Sequence, residues 1–160
     1  MEVRQIEDDE RQELGALWDE RWGSRRVVSR GRVHELAGYP VLVAIHEGRL
    51  VGALSYETRD GELEAVSVDA FEQGIGAGGA LLEAAADVAR EAGCRRLWLV
   101  TTNDNTHALR FYQRHGMRLV ALHLGAVEES RRLKPEIPAE GNHGIPIRDE
   151  LELELLLRPA

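Results

Sequence analysis

Hydrophobic and polar positions change period several times along the chain, and the changes mark its elements. Residues 2–6 read as a short strand. In DDERQELGALWDERWG, Leu14, Leu17 and Trp18 share one face at helical spacing, Asp8 or Asp9 can cap it and Gly23 can end it, which predicts a helix over Asp9–Trp22. A basic loop with Arg25, Arg26, Arg30 and Arg32 follows, then a short helix over Gly31–Ala37. YPVLVAIHEGRLVGALSYETRDGELEAVSVD then holds three apolar or alternating runs parted by the turn-like EGR and RDG. That pattern predicts an antiparallel three-strand meander.

Beyond it, a glycine-rich loop opens a helix that carries Leu81, Ala85, Val88 and Ala92 on one face and stops at Gly93. A strand over Arg96–Thr102 is next. A second helix is capped by Asn103 or Asn105 and ends at Gly116, with Arg114 and His115 suiting the negative end of its dipole. MRLVALHLGA reads as a strand, Val127–Arg148 as an irregular stretch with Pro135, Pro138 and Pro146, and DELELELLL as a last, strictly alternating strand. The expected class is α+β: a mixed, mostly antiparallel central sheet of about seven strands with helices on both faces, in a single domain over residues 1–160.

Composition narrows the function. No apolar run approaches the ~18 residues needed to cross a bilayer, and the acidic opening is unlike a signal peptide, so the expectation is a cytoplasmic protein with no membrane partner. The single cysteine, Cys94, can form no internal disulfide, and no Cys or His pair has zinc-ligand spacing, so no metal is expected. A net charge of -8 disfavours a broad grip on nucleic acid and favours cationic or neutral substrates.

QGIGAGG, Gln73–Gly79, lies between a predicted strand and a predicted helix. Glycines permit close backbone approach, and the first amides of a helix have no internal partner, so this junction suits a phosphate or pyrophosphate. Gly74, Gly76 and Gly79 also spell the GxGxxG of dinucleotide-binding oxidoreductases. That reading needs a parallel βαβ unit and an acid about 20 residues on, and here hairpins precede the loop while Arg95, Arg96 and Leu97 stand at that distance.

Read instead as Q-x-x-G-x-G over Gln73, Gly76 and Gly78, followed by Leu81-Leu82, the loop resembles the pyrophosphate loop of the GNAT N-acetyltransferase superfamily. A second block, LWLVTTNDNTHALRFYQRHGMRLV, resembles that family's next strand, Asn-containing turn, Phe-Tyr helix and following strand. The two blocks cover roughly residues 62–120, the expected cofactor-binding core, and the order of elements outside them also fits.

The resemblance implies acetyl transfer from acetyl-CoA directly to a primary amine, of a small molecule or a protein. Gln73, Gly74, Ile75, Gly76, Ala77, Gly78 and Gly79 would cradle the phosphates. The main chain of Val66, Ser67 and Val68 would bond the pantetheine arm and polarise the thioester carbonyl, worth ~3 kcal/mol as an oxyanion-hole group. Asn105, Ala108, Leu109 and Tyr112 fall on one helical face; by resemblance Asn105 reaches the arm, Ala108 allows its approach and Tyr112 sits near sulfur. A phenol titrates near ~10 and a thiol near ~8.5, so Tyr112 can protonate the departing thiolate. Glu62 and Glu64 share a strand face and are the candidate bases; Glu62 stands where histone-modifying members carry a glutamate.

One departure is that residues 70–82 hold no Lys or Arg and do hold Glu72, so any cation for the phosphates must come from Arg110, Arg114 or the Arg25–Arg32 cluster. A second is Met117, where the family commonly has an aromatic. The stretch 127–148 is a candidate acceptor lid, and Glu150, Glu152 and Glu154 read as a solvated strand face or, alternatively, a cationic acceptor site. A non-catalytic acyl-CoA-binding sensor is the alternative to an enzyme, and a homodimer is possible because the acceptor site must be built from this chain's loops or a second copy.

Overall fold

A computed structural model describes residues 1–157 of the chain. The strands hydrogen-bond in the order β1 (Glu2–Gln5), β4 (Val41–His46), β5 (Arg49–Arg59), β6 (Glu62–Ala70), β7 (Arg96–Thr102), β9 (Glu150–Leu156), β8 (Arg118–His123), a seven-stranded mixed α+β sheet, while β2 (Arg26–Ser29) and β3 (Arg32–Glu35) form a separate hairpin. The ladders β1–β4, β4–β5, β5–β6 and β8–β9 are antiparallel. Two compact units are present: residues 1–27, 35–97 and 156–157 in one, and residues 28–34 and 98–155 in the other.

In the first unit the meander forms where the sequence predicts it. Its turns, Glu47-Gly48 and Asp60-Gly61, take positive φ at both positions, the backbone of a type I′ hairpin that matches strand twist. Helix α1 (Asp8–Trp22) lays Leu14 and Trp18 on Val41, Val43 and Ala53, which register places on one sheet face. Helix α2 (Ala77–Glu91) covers the other face. A Cβ on Gly52 would lie 3.0 Å from Leu81 Cδ1 and 3.3 Å from Ala77 Cβ, so Gly52 is what lets α2 sit this close. Leu81, Ala85 and Ala89 of α2 are fully buried. Each such leucine contributes ~2–3 kcal/mol of apolar burial. A Schellman turn ends α2, with Gly93 and Cys94 donating to the carbonyls of Arg90 and Ala89.

The helix α1 starts one residue earlier than expected: Glu7, not Asp8 or Asp9, is the N-cap, and its amide donates to Glu10 at 2.9 Å. The acids Asp8, Asp9 and Glu10 then lie in the first turn, where the helix dipole favours negative charge. The expected short helix over Gly31–Ala37 is also corrected. Arg30 and Gly31 both take positive φ and close the β2–β3 hairpin, and only Leu36–Gly38 turns helically, as a 3₁₀ turn. Val27, Val28 and Val33 flanking a tight turn favour strands over helix.

In the second unit α3 (Thr106–Arg114) precedes β8, and Leu119 and Leu122 of β8 pair with Leu153 and Leu151 of β9. The stretch expected to be irregular opens instead with α4 (Ala126–Leu133), whose Val127 and Ser130 are buried. The three prolines lie after the helix, so they do not interrupt it.

Candidate functional site

The first unit carries the glycine loop and β6. Gly74 and Gly76 have φ of 82° and 81°, the left-handed region that favours glycine, and Gly76 is the N-cap of α2. The first intrahelical bond runs from Ala80 N to Gly76 O at 3.1 Å, so the amides of Ala77, Gly78 and Gly79 precede the helical ladder. No side chain caps this end and no acid occupies the first turn. Gln73, Gly74 and Gly76 are exposed, and the Gln73 side-chain amide donates back to Ala70 O at 3.3 Å. The junction presents donors and positive dipole to a ligand with nothing of its own in the way.

Charge around the loop is arranged from outside it. Glu72 is ion-paired to Arg49 at 3.1 Å, and Arg21 lies 5.2 Å from the Phe71 ring centroid while donating to Phe71 O at 3.1 Å. The cations beside the loop are therefore Arg49 and Arg21. The Arg25–Arg32 cluster, expected to supply them, is engaged elsewhere: Arg25 pairs with Asp19, Arg26 with Glu35, and Arg30 lies 3.7 Å from Glu150.

On β6 the register with β5 slips between Ala65 and Ser67, leaving Val66 as a β-bulge. Bulges break a ladder locally and recur beside active sites. Val66, Ser67 and Val68, expected to meet the pantetheine arm, are half-buried at this break. The sequence gave no sign of the bulge, since no glycine marks it. Glu62 is the hub of an ion-pair network, accepting from Arg95 at 2.5 Å and from Arg96, while Arg95 also donates to Asp60 O. Glu64 is 6% exposed and stands opposite Glu57.

A residue overlooked in the sequence is Asp69. It is 8% exposed and accepts the indole N–H of Trp18 at 3.0 Å. Burial pushes its carboxyl above the ordinary range, partly offset by N–H groups of Trp18 and Trp22 and by Arg21. Alternation alone places an Asp here in strand or turn, so only its burial distinguishes it. Burial likewise pushes the Cys94 thiol up, away from the reactive thiolate.

The second unit carries the Asn103-Asp104-Asn105 turn. Asn105 is the cap of α3, its Oδ1 accepting from Ala108 N at 3.2 Å. Asn103 and Asp104 hold the chain beyond α4: Asn103 Oδ1 accepts from the amides of Arg148 and Asp149, and Asp104 Oδ2 accepts from the backbone and side chain of Asn142. Arg131 adds bonds to the carbonyls of Pro138 and Ile147. Three consecutive polar residues thus fix the return of the chain to β9.

Ala108, Leu109, Phe111 and Tyr112 are half-buried, and α3 has no fully buried residue, so its apolar face is only partly covered. The Phe111 and Tyr112 rings meet edge-on at 5.5 Å. Met117, where an aromatic was expected, is 4% exposed and packs as a core residue. Glu150 is not part of a solvated face: it is 2% exposed and accepts from the Arg30 amide at 3.1 Å, while Glu152 meets His123 at 3.1 Å.

Strand order, an uncapped glycine-opened helix after a bulged strand, and an Asn-capped helix after the next strand together define an acetyltransferase of the GNAT type, and the chain belongs to the Acetyltransferase (GNAT) family, whose model matches residues 3–117. It is 41% identical over 143 residues to the uncharacterized protein YxbD of Bacillus subtilis (strain 168), covering 88% of this chain and 89% of that one. Among solved structures, an IAA acetyltransferase from Bacillus cereus ATCC 14579 superposes with a TM-score of 0.75 at 23% identity, covering 98% and 99% of the two chains. A GNAT family acetyltransferase from Elizabethkingia anophelis with acetyl-CoA bound gives 0.71 at 18% identity, covering 98% and 97%.

Proposed function

We propose that this chain transfers an acetyl group from acetyl-CoA directly to a primary amine. The observation that carries the reading is the α2 N-terminus: Gly74 and Gly76 in the left-handed region, amides of Ala77, Gly78 and Gly79 ahead of the helical ladder, and Glu72 neutralised by Arg49. These residues suit the pyrophosphate of CoA, and the acetyl-CoA held by the Elizabethkingia protein supports the same ligand here. Gln73 and Ile75 complete the loop.

In this reading the main chain of Val66, Ser67 and Val68 at the bulge bonds the arm and the thioester carbonyl, and Asn105 and Ala108 serve the arm. Asn105 Oδ1 is used by the cap, so its amide N–H₂ is the group left for the arm. Tyr112 donates its phenolic proton to the departing thiolate. Of the two candidate carboxylates we assign the base to Glu64, because Glu62 is held by Arg95 and Arg96 and serves to fix the start of β6.

The exposed apolar positions Leu119, Val120 and Leu122 on β8, the last strand in the sheet order, support a homodimer in which that edge is covered. A thermal-shift titration with acetyl-CoA and, separately, NAD tests the cofactor. Stabilisation by acetyl-CoA alone is expected, and stabilisation by NAD alone contradicts the reading.

A further inference from the structure

The face of the β5–β6 ladder that packs on α1 at Ala53 turns polar further along. Register sets Ser55 opposite Ser67 and Glu57 opposite Glu64. Opposed residues in an antiparallel ladder point to the same side, and residues two apart on a strand share a face, so Ser55 and Glu57 lie on the side of Ala53. Ser55 is fully buried, Glu64 is 6% exposed and Glu57 is half-buried, so access rises from the hydroxyls toward Glu57.

Two features of this strip point to a ligand. The Oγ atoms of Ser55 and Ser67 are buried with no hydrogen-bond partner in the protein, an arrangement that costs stability unless a bound group answers it. Two carboxylates are set opposite each other in the same strip, which concentrates negative charge and attracts a cation. The bulge at Val66 interrupts the ladder between these two pairs, directly beside Ser67.

We propose that Ser55, Ser67, Glu57 and Glu64 form the acceptor subsite and that it takes a primary ammonium group on an aliphatic stem. This rests on the amine-acetylation reading and names the residues that would select its acceptor. An ammonium offers three N–H donors, which match two carboxylates and a hydroxyl oxygen. For transfer, one N–H bond breaks and its proton passes to the Glu64 carboxylate. The freed lone pair attacks the thioester carbonyl carbon, the C–N bond forms and the C–S bond breaks. The thiolate takes a proton from Tyr112, the second proton lost by nitrogen restores that phenol, and the proton on Glu64 returns to solvent.

The test uses cadaverine as a cationic probe and aniline as an amine uncharged at neutral pH. Calorimetric titration with cadaverine, with and without CoA, is paired with steady-state thiol release from acetyl-CoA. Glu57→Gln is expected to weaken cadaverine binding and raise its KM tenfold or more while leaving the KM for aniline within twofold; Ser67→Ala is expected to weaken cadaverine in the same selective way. The proposal is overturned if wild-type protein binds no cadaverine, if Glu57→Gln leaves its affinity unchanged, or if aniline is affected equally. Cadaverine binding that depends on Glu57 but is accompanied by no thiol release upholds the subsite and removes the acetyl-transfer reading.

Discussion

Trp18 donates its indole N–H to the buried Asp69 carboxylate across 3.0 Å, tying α1 to the end of β6 just before the glycine loop. Trp18→Phe leaves that acceptor short of a partner and is expected to cost ~1–3 kcal/mol at neutral pH, read by denaturant unfolding. An unchanged midpoint contradicts the role given to this bond.

The same pair predicts a pH dependence. Because burial raises the carboxyl of Asp69 in the folded state, folding favours its protonated form. Its contribution is fully present below the unfolded carboxyl range near ~3.9 and is lost as pH rises through the folded value. Asp69→Asn keeps a carbonyl oxygen for Trp18 and removes the titration. Its Tm relative to wild type should therefore rise between acid and neutral pH, and a constant difference would falsify the assignment.

Gly76 has open space where a Cβ would stand, so Gly76→Ala tests conformation alone. Forcing alanine to φ 81° costs ~1–2 kcal/mol. If that strain is relieved by moving the amides of Ala77 to Gly79, acetyl-CoA affinity should fall by about tenfold, measured by calorimetry. Unchanged affinity would show that the cradle does not depend on this backbone.

Much of this was legible in the chain. Leu14 and Trp18 fixed the face of α1, EGR and RDG fixed two hairpin turns, and the glycines before Ala77 announced a helix that starts without a side-chain cap. What failed depended on partners distant in sequence. Alternation in DELELELLL suggested a solvated face, but Glu150 is buried because the Arg30 amide reaches it. The helicity of Ala126–Leu133 was hidden by its prolines downstream, and the bulge at Val66 follows from pairing with β5, which no local residue announces.

Glu62 and Glu64 should separate by measurement. Glu62→Gln weakens the network with Arg95 and Arg96 and is expected to lower Tm with kcat preserved. Glu64→Gln is expected to lower kcat by ~10²-fold or more as a lost base. The reverse pattern would move the base to Glu62.

Tyr112→Phe is expected to lower kcat by ~10²-fold while acetyl-CoA affinity holds, since the phenol acts only on the departing thiolate. Equal rates for the two proteins across several pH values would remove Tyr112 from the chemistry.

The most direct measurement follows thiol release and product mass for wild-type protein given acetyl-CoA and a primary amine. The account predicts free CoA thiol appearing with the N-acetylated amine in equal amounts, and neither when acetyl-CoA or the amine is withheld. Tight acetyl-CoA binding with no acetylated product from any primary amine would contradict it and leave a cofactor-binding protein without turnover.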